Sequence, residues 1–282
     1  MAYRLIALDL DGTLLDSRQQ IRPETIFALQ QARQQGIEVI VVTGRHHIAA
    51  YPYHDQLQLS TPAICCNGTY SYDYQARRAV AANPLSKAQA RLILAKIRAH
   101  NIRGIMYVDN AMAYEIADAH IEHMNKWAMA LPEKVRPSIT QVVSFEQLGE
   151  TAEAIWKFLA IRQDDDASFQ AFLAEIEAEA ELTFEWSGNN RVDITQADNS
   201  KGARLAEWMA MQGIDPSEVI AFGDHRNDMS MLKMVGLSVA MGNSDEVVQS
   251  CAQWVAGTND TDAIAETLRR FVLAPHTAAE NQ

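Results

Sequence analysis

Residues 3–8 form a strand-like run that stops at Asp9-Leu10-Asp11-Gly12-Thr13, and this arrangement recurs along the chain. Residues 37–42, rich in β-branched side chains, end at Thr43-Gly44-Arg45; 63–66 end at Asn67-Gly68; 219–222 end at Gly223-Asp224, with Asp228 just beyond. Between the first two runs, Pro23 opens a helix with Ile26, Leu29 and Ala32 on one face and Gly36 as its stop. Runs apolar on both faces, alternating with helices, argue for a parallel sheet covered on both sides. In an open sheet of that kind ligands bind at the carboxyl ends of the strands. The polar clusters are therefore expected to share one crevice.

The rhythm breaks near Asn83-Pro84. A helix over 86–100 carries a possible capping box, Ser86 and Gln89. Residues 104–108 and 112–116 alternate around Asp109-Asn110, and 182–186 and 191–195 flank Ser187-Gly188-Asn189-Asn190, so both pairs read as hairpins. A strand over 154–161 and a helix bearing Phe169, Phe172 and Ile176 lie between them. Hairpins with helices make a separate α+β unit. The α/β rhythm resumes at Asn199-Ser200-Lys201. The expected fold is α/β: a Rossmann-like parallel-sheet core over 1–83 and 196–282, with an inserted α+β cap over 84–195. The tail, 274–282, reads as disordered.

The acidic clusters narrow the chemistry. Asp9 and Asp11, two residues apart past a buried strand, project into the crevice, and Gly12 permits the sharp turn there. Neighbouring carboxylates raise one another's pKa unless a cation intervenes. With Asp224 and Asp228 they offer hard oxygen ligands suited to Mg²⁺. Asp9 is then placed to attack phosphorus, and Asp11 to protonate the leaving oxygen and activate water. The Thr43 hydroxyl, the amides of Leu10 and Gly44, and Asn227 are candidates to bind phosphoryl oxygens. Lys201, at a helix start, adds positive charge. That matters because 36 acidic residues against 24 basic give a net charge of −12. Such a field disfavours nucleic acid and anionic membrane as partners, so a phosphate site needs local cations.

DLDGTLL, VVTGR, NSKG and GDHRND, in this order, resemble the four motifs of the haloacid dehalogenase superfamily of phosphatases. Only 31 residues separate Asp11 from Thr43, too few for a cap there, so the insertion between Thr43 and Lys201 resembles that of the Cof-type subfamily. The resemblance implies Asp9 as nucleophile, Asp11 as acid/base, and Thr43 and Lys201 as phosphate anchors. It implies Mg²⁺ held by Asp9, the Asp11 carbonyl and Asp224, with Asp228 in support. TGRHH, TPAICCNGTY, MYVD, the Trp156-Lys157-Phe158 strand and VAMGN are similar to pyridoxal phosphate phosphatases within that subfamily. A small phosphate ester is then the expected substrate, pyridoxal 5′-phosphate first. Trp156 or Trp186 would supply a ring wall, with Arg45, His46, Asn67 or Lys157 as polar contacts. The alternatives are a sugar-phosphate phosphatase or phosphomutase on the same scaffold and, more distantly, a receiver-like regulatory module.

Cys65, Cys66 and Cys251 form no CxxC pair, and two aspartates interrupt the N-terminal apolar run. A reducing, cytoplasmic setting is expected. The sequence leaves the oligomeric state open.

Overall fold

The computed structural model describes residues 3–163, 166–188 and 190–273. The tail from 274, Asp164-Asp165 and Asn189 of the second hairpin turn lie outside the described residues. Two compact units emerge: Met1–Thr43, Leu59–Pro62 and Lys201–Gln282 in the first, Gly44–Gln58 and Ala63–Ser200 in the second.

The first unit is built on a five-stranded, fully parallel sheet. Its order is Trp254–Val255, Leu237–Ala240, Val219–Gly223, Leu5–Leu8, Glu38–Val41. Leu5–Leu8, an interior strand between Val219–Gly223 and Glu38–Val41, is wholly buried, as its unbroken apolar run requires. The register sets Leu8 beside both Phe222 and Val41. Asp9, Asp224 and Thr43 therefore leave the sheet at one edge, the carboxyl edge.

Residues 63–65 depart from expectation. Ala63–Cys65 does not join the parallel sheet; it pairs antiparallel with Tyr70–Asp73, which pairs with Arg78–Ala82. The side chain of Thr61 explains part of this, because its hydroxyl donates to the Val39 carbonyl just where a ladder would begin. Segments 44–58 and 63–83 consequently cluster with the second unit.

The second unit centres on a six-stranded sheet: Leu182–Trp186, Arg191–Gln196, Ile155–Ile161, Arg103–Val108, Ala111–Tyr114, Ile139–Gln141. Every neighbouring pair is antiparallel except the last. Both hairpins form as the alternation predicts. Helix Lys87–Ala99 begins with the capping box, Ser86 accepting from the Gln89 amide and Gln89 from Ser86. Its Ile93 and Ile97 pack with Phe158, Phe169, Phe172 and Ile194 in one apolar cluster on one face of the sheet.

Candidate active site

In the first unit, a tight turn returns the chain after Leu8 over the sheet edge. The Leu10 carbonyl accepts from the amides of Thr13 and Leu15. Gly12 sits at φ +78°, and a Cβ there would run into the Asp224 carboxylate. Glycine is thus required twice at this position. Asp9 is 5% exposed. One of its carboxylate oxygens accepts from Lys201 Nζ at 2.6 Å, and the same ammonium donates to Asp228 at 2.6 Å. Lys201, 1% exposed, is the first residue of helix Lys201–Gln212. The Gly202 amide donates to the Ser230 hydroxyl, pinning that helix start.

Asp228 is fully committed. Its second oxygen accepts from the amides of Asp224 and His225 at 2.9 and 3.0 Å, closing the short turn Arg226–Asp228 that carries half-buried Asn227. Asp224 accepts from the Thr13 hydroxyl at 2.8 Å. Asn243 Nδ2 donates to the Gly12 carbonyl at 2.9 Å, with Asp224 also in reach at 3.5 Å. Thr13 and Asn243 are residues that sequence reasoning passed over. Thr13 lies inside the first motif, and Asn243 follows the strand Leu237–Ala240 as the other polar clusters follow theirs. Asp11 is exposed, and Thr43 is buried at the sheet edge.

Asp9, Asp224 and Asp228 bring ligand oxygens within 4.8 Å of one another. Three carboxylates against one ammonium leave two negative charges uncompensated. Burial pushes the Asp9 carboxyl well above its usual range, Lys201 opposes this, and Asp228 and Asp224 add to it. Burial, then Asp228, push Asp224 up to about 7. Burial works against the Lys201 charge, but Asp228 and Asp9 outweigh it and its pKa is raised. Such crowding of buried carboxylates is relieved by a divalent cation, and the all-oxygen donor set suits a hard one. The residues present therefore fit a metal site.

The remaining candidates lie in the second unit. The Gly44 carbonyl accepts from Lys157 Nζ at 2.8 Å. The Arg45 guanidinium lies 5.1 Å from the ring centroids of both Tyr53 and Trp127. Trp156 is buried, packs on Tyr70 and donates to the Asp109 carbonyl, whereas Trp186 is 40% exposed. Asn67 is buried and donates to Asp193 at 3.0 Å. His46 is buried; its Nδ1 accepts from the Ile48 amide, capping helix His47–Leu57, and its Nε2 has no hydrogen-bond partner among the described residues.

His47 stacks on Tyr72 at 3.7 Å and lies within hydrogen-bond distance of the Tyr70 hydroxyl and Asn110 Oδ1. Because Asn110 Oδ1 can only accept, Nε2 carries the proton and Nδ1 accepts from Tyr70. Burial lowers the His47 pKa to about 4. A folded pKa below the unfolded value of about 6.5 gives stability that is complete above about pH 6.5 and is lost as pH falls toward 4. At pH 5 the loss from His47 alone is about 2 kcal/mol. Urea melts at pH 7 and pH 5 check this: the wild type should lose about that much more than His47→Asn. Equal losses in the two proteins contradict it.

The family model for haloacid dehalogenase-like hydrolases matches residues 6–268. The chain belongs to this family. It is 46% identical, over 94% of its length and 97% of the relative's, to the pyridoxal phosphate phosphatase YbhA of Escherichia coli. It is 26% identical, over 95% of its length and 97% of the relative's, to the 5-amino-6-(5-phospho-D-ribitylamino)uracil phosphatase YitU of Bacillus subtilis. Among solved structures, a haloacid dehalogenase-like hydrolase from B. subtilis superposes with a TM-score of 0.82 at 29% identity, covering 95% of this chain and all of that one. This family member is thus a phosphatase, and the receiver-like reading is set aside. Among the described residues no helix is long and apolar enough to cross a membrane.

Proposed function

We propose that this phosphatase hydrolyses pyridoxal 5′-phosphate to pyridoxal and phosphate through a phosphoryl group carried on Asp9. The observation that carries the site reading is the buried Lys201 ammonium, 2.6 Å from Asp9 and 2.6 Å from Asp228. It holds the Asp9 carboxylate in one orientation and keeps cationic charge where phosphoryl oxygens must be received. The Asp9 oxygen attacks phosphorus, forming an O–P bond as the bond to the ester oxygen breaks. Asp11, exposed and two residues further along the chain, gives the leaving oxygen its proton. Asp11 then takes a proton from water, which attacks phosphorus and returns Asp9 to a carboxylate. The Thr43 hydroxyl, the Leu10 and Gly44 amides and Asn227 bind the non-bridging oxygens. Asp9, Asp224 and the Asp11 carbonyl, with Asp228 in support, would hold Mg²⁺, which when bound would supply charge neutralisation at the phosphoryl group.

The vitamin assignment draws on the 46% identity to a pyridoxal phosphate phosphatase over nearly the whole chain. An aldehyde substrate requires that nearby lysines stay protonated. Burial works against the Lys157 charge, but Asp193 and then Tyr107 outweigh it and raise its pKa. A lysine kept as ammonium does not trap the aldehyde as a Schiff base. Sugar phosphates and phosphoribityl compounds form the comparison class. The test is kcat/KM for pyridoxal phosphate against a hexose phosphate and a ribityl phosphate, with pyridoxal phosphate expected to rank first. A value more than tenfold below the hexose phosphate, about 1.4 kcal/mol of transition-state binding, overturns the assignment.

A further inference from the structure

Strand alternation puts two opposite charges on the face of the six-stranded sheet that the helix-side core does not use. Met106 and Val108, Phe158 and Ala160, and Val192 and Ile194 join that core. Tyr107 and Asp193, which fall between their core neighbours, and Lys157, which precedes Phe158 and pairs with Tyr107, point the other way. That face is also dry: Lys157 is 3% exposed and Asp193 2%. Lys157 Nζ lies 2.8 Å from Asp193 Oδ2 and 4.5 Å from the centroid of the Tyr107 ring, its direct cross-strand neighbour. Asn67 donates to the same Asp193 oxygen, and the other, Oδ1, has no hydrogen-bond partner among the described residues.

A buried ion pair is poor evidence for stability, since well-packed apolar side chains of similar volume often serve as well or better. What this pair holds is more informative. The third Lys157 contact is the Gly44 carbonyl at 2.8 Å. The following carbonyl, Arg45, accepts from the Cys66 amide at 2.9 Å. Gly44 has no side chain to restrain it, and a Cβ there would sit 2.9 Å from Asn67 Oδ1. Its conformation is thus set from outside, by the lysine on its carbonyl and the asparagine against its α-carbon.

We propose that Lys157, held by Asp193, is a positioning residue for phosphoryl transfer. It fixes the Gly44 carbonyl and thereby the Thr43–Gly44 peptide, which carries the proposed phosphate donors. The inference rests on the anchor role given above to Thr43 and Gly44. It moves Lys157 from the leaving group, where the sequence placed it, to the phosphoryl end of the reaction. A leaving-group contact affects one ester; a device acting on the phosphate anchor affects all of them equally.

The test uses the double variant Lys157→Met/Asp193→Leu, which removes both charges together, so that neither is left buried without its counter-charge. Its melting temperature should stay close to that of the wild type, the gain from removing a buried ion pair being offset by the bonds lost at the Asn67 amide and the Gly44 carbonyl. Its kcat should fall on the order of 10- to 100-fold, by the same factor for pyridoxal phosphate, a hexose phosphate and p-nitrophenyl phosphate, with inhibition by inorganic phosphate weakened in parallel. A folded double variant with wild-type kcat overturns the proposal. So does a loss confined to pyridoxal phosphate, which would make Lys157 a ring contact. Thr43→Val, run alongside, separates the two readings: if it is fully active, the anchor role itself has failed. Should the double variant not fold, Tyr107→Leu takes the ring from beneath Nζ and leaves the ionic partners. It should give a smaller loss, again equal across the three esters, and an ester-specific loss would refute the proposal.

Discussion

Asp9→Asn is expected to lower turnover by a factor on the order of 10⁴ or more while leaving the fold intact. An amide oxygen is too weak a nucleophile to form the acyl phosphate, so the loss should fall on kcat and kcat/KM together. The fold should survive because the carbonyl oxygen of the introduced amide can still accept from Lys201, which keeps Asp228 as its second partner at 2.6 Å. Removing a carboxylate from a buried cluster in which burial and two neighbouring aspartates already disfavour the charge should leave the metal-free protein at least as stable. Phosphate release and a thermal melt on one sample check both halves, with mass spectrometry confirming that the introduced amide has not deamidated. Turnover near the wild-type rate would rule out covalent catalysis at this position.

Chelation is the second large effect. EDTA should reduce phosphate release to background, and Mg²⁺ should restore it. A readout independent of catalysis accompanies this, because a ligand that binds only the folded protein stabilises it by mass action, about 2.7 kcal/mol at a hundredfold excess over Kd. The wild-type melting temperature should therefore rise with Mg²⁺. Asp224→Ala should remove most of that rise, since Asp224 is one of three carboxylates whose oxygens converge within 4.8 Å. Asn243→Ala should weaken it less, because Asn243 acts through the Gly12 carbonyl and Asp224. Full activity in metal-free buffer, or a melting temperature indifferent to Mg²⁺, would contradict the metal reading.

Three strands of the parallel core, Leu5–Leu8, Glu38–Val41 and Val219–Gly223, were legible because each ends where an apolar run meets a charged or glycine-containing turn. The acidic cluster and Lys201 were legible for the same reason. Three other features were not. Helix His47–Leu57 contains Pro52 and is rich in histidine and tyrosine, so neither propensity nor periodicity announces it; its N-cap is the unusual His46. The strand at 63–65 has the apolar signature of a parallel strand, yet its partner is the Tyr70–Asp73 strand that follows in the chain. Local sequence cannot choose between two partners when both present apolar faces. Asp193 lies between the core-facing Val192 and Ile194, an outward position that in an alternating strand normally means solvent. It is instead covered, with Asn67 and Lys157 as its partners. The signal that could have found it is a lone lysine in the otherwise apolar run Ile155–Ile161, which must meet a carboxylate once buried on both faces.

The most direct measurement is the fate of Asp9 during turnover. Enzyme mixed with pyridoxal phosphate, quenched in acid within one turnover and reduced with borohydride should carry homoserine at position 9, because an acyl phosphate is reduced and a free carboxylate is not. An unmodified Asp9, together with inversion of configuration at a chiral phosphorus, would mean that water attacks the substrate directly and that the phosphoryl group never rests on this chain.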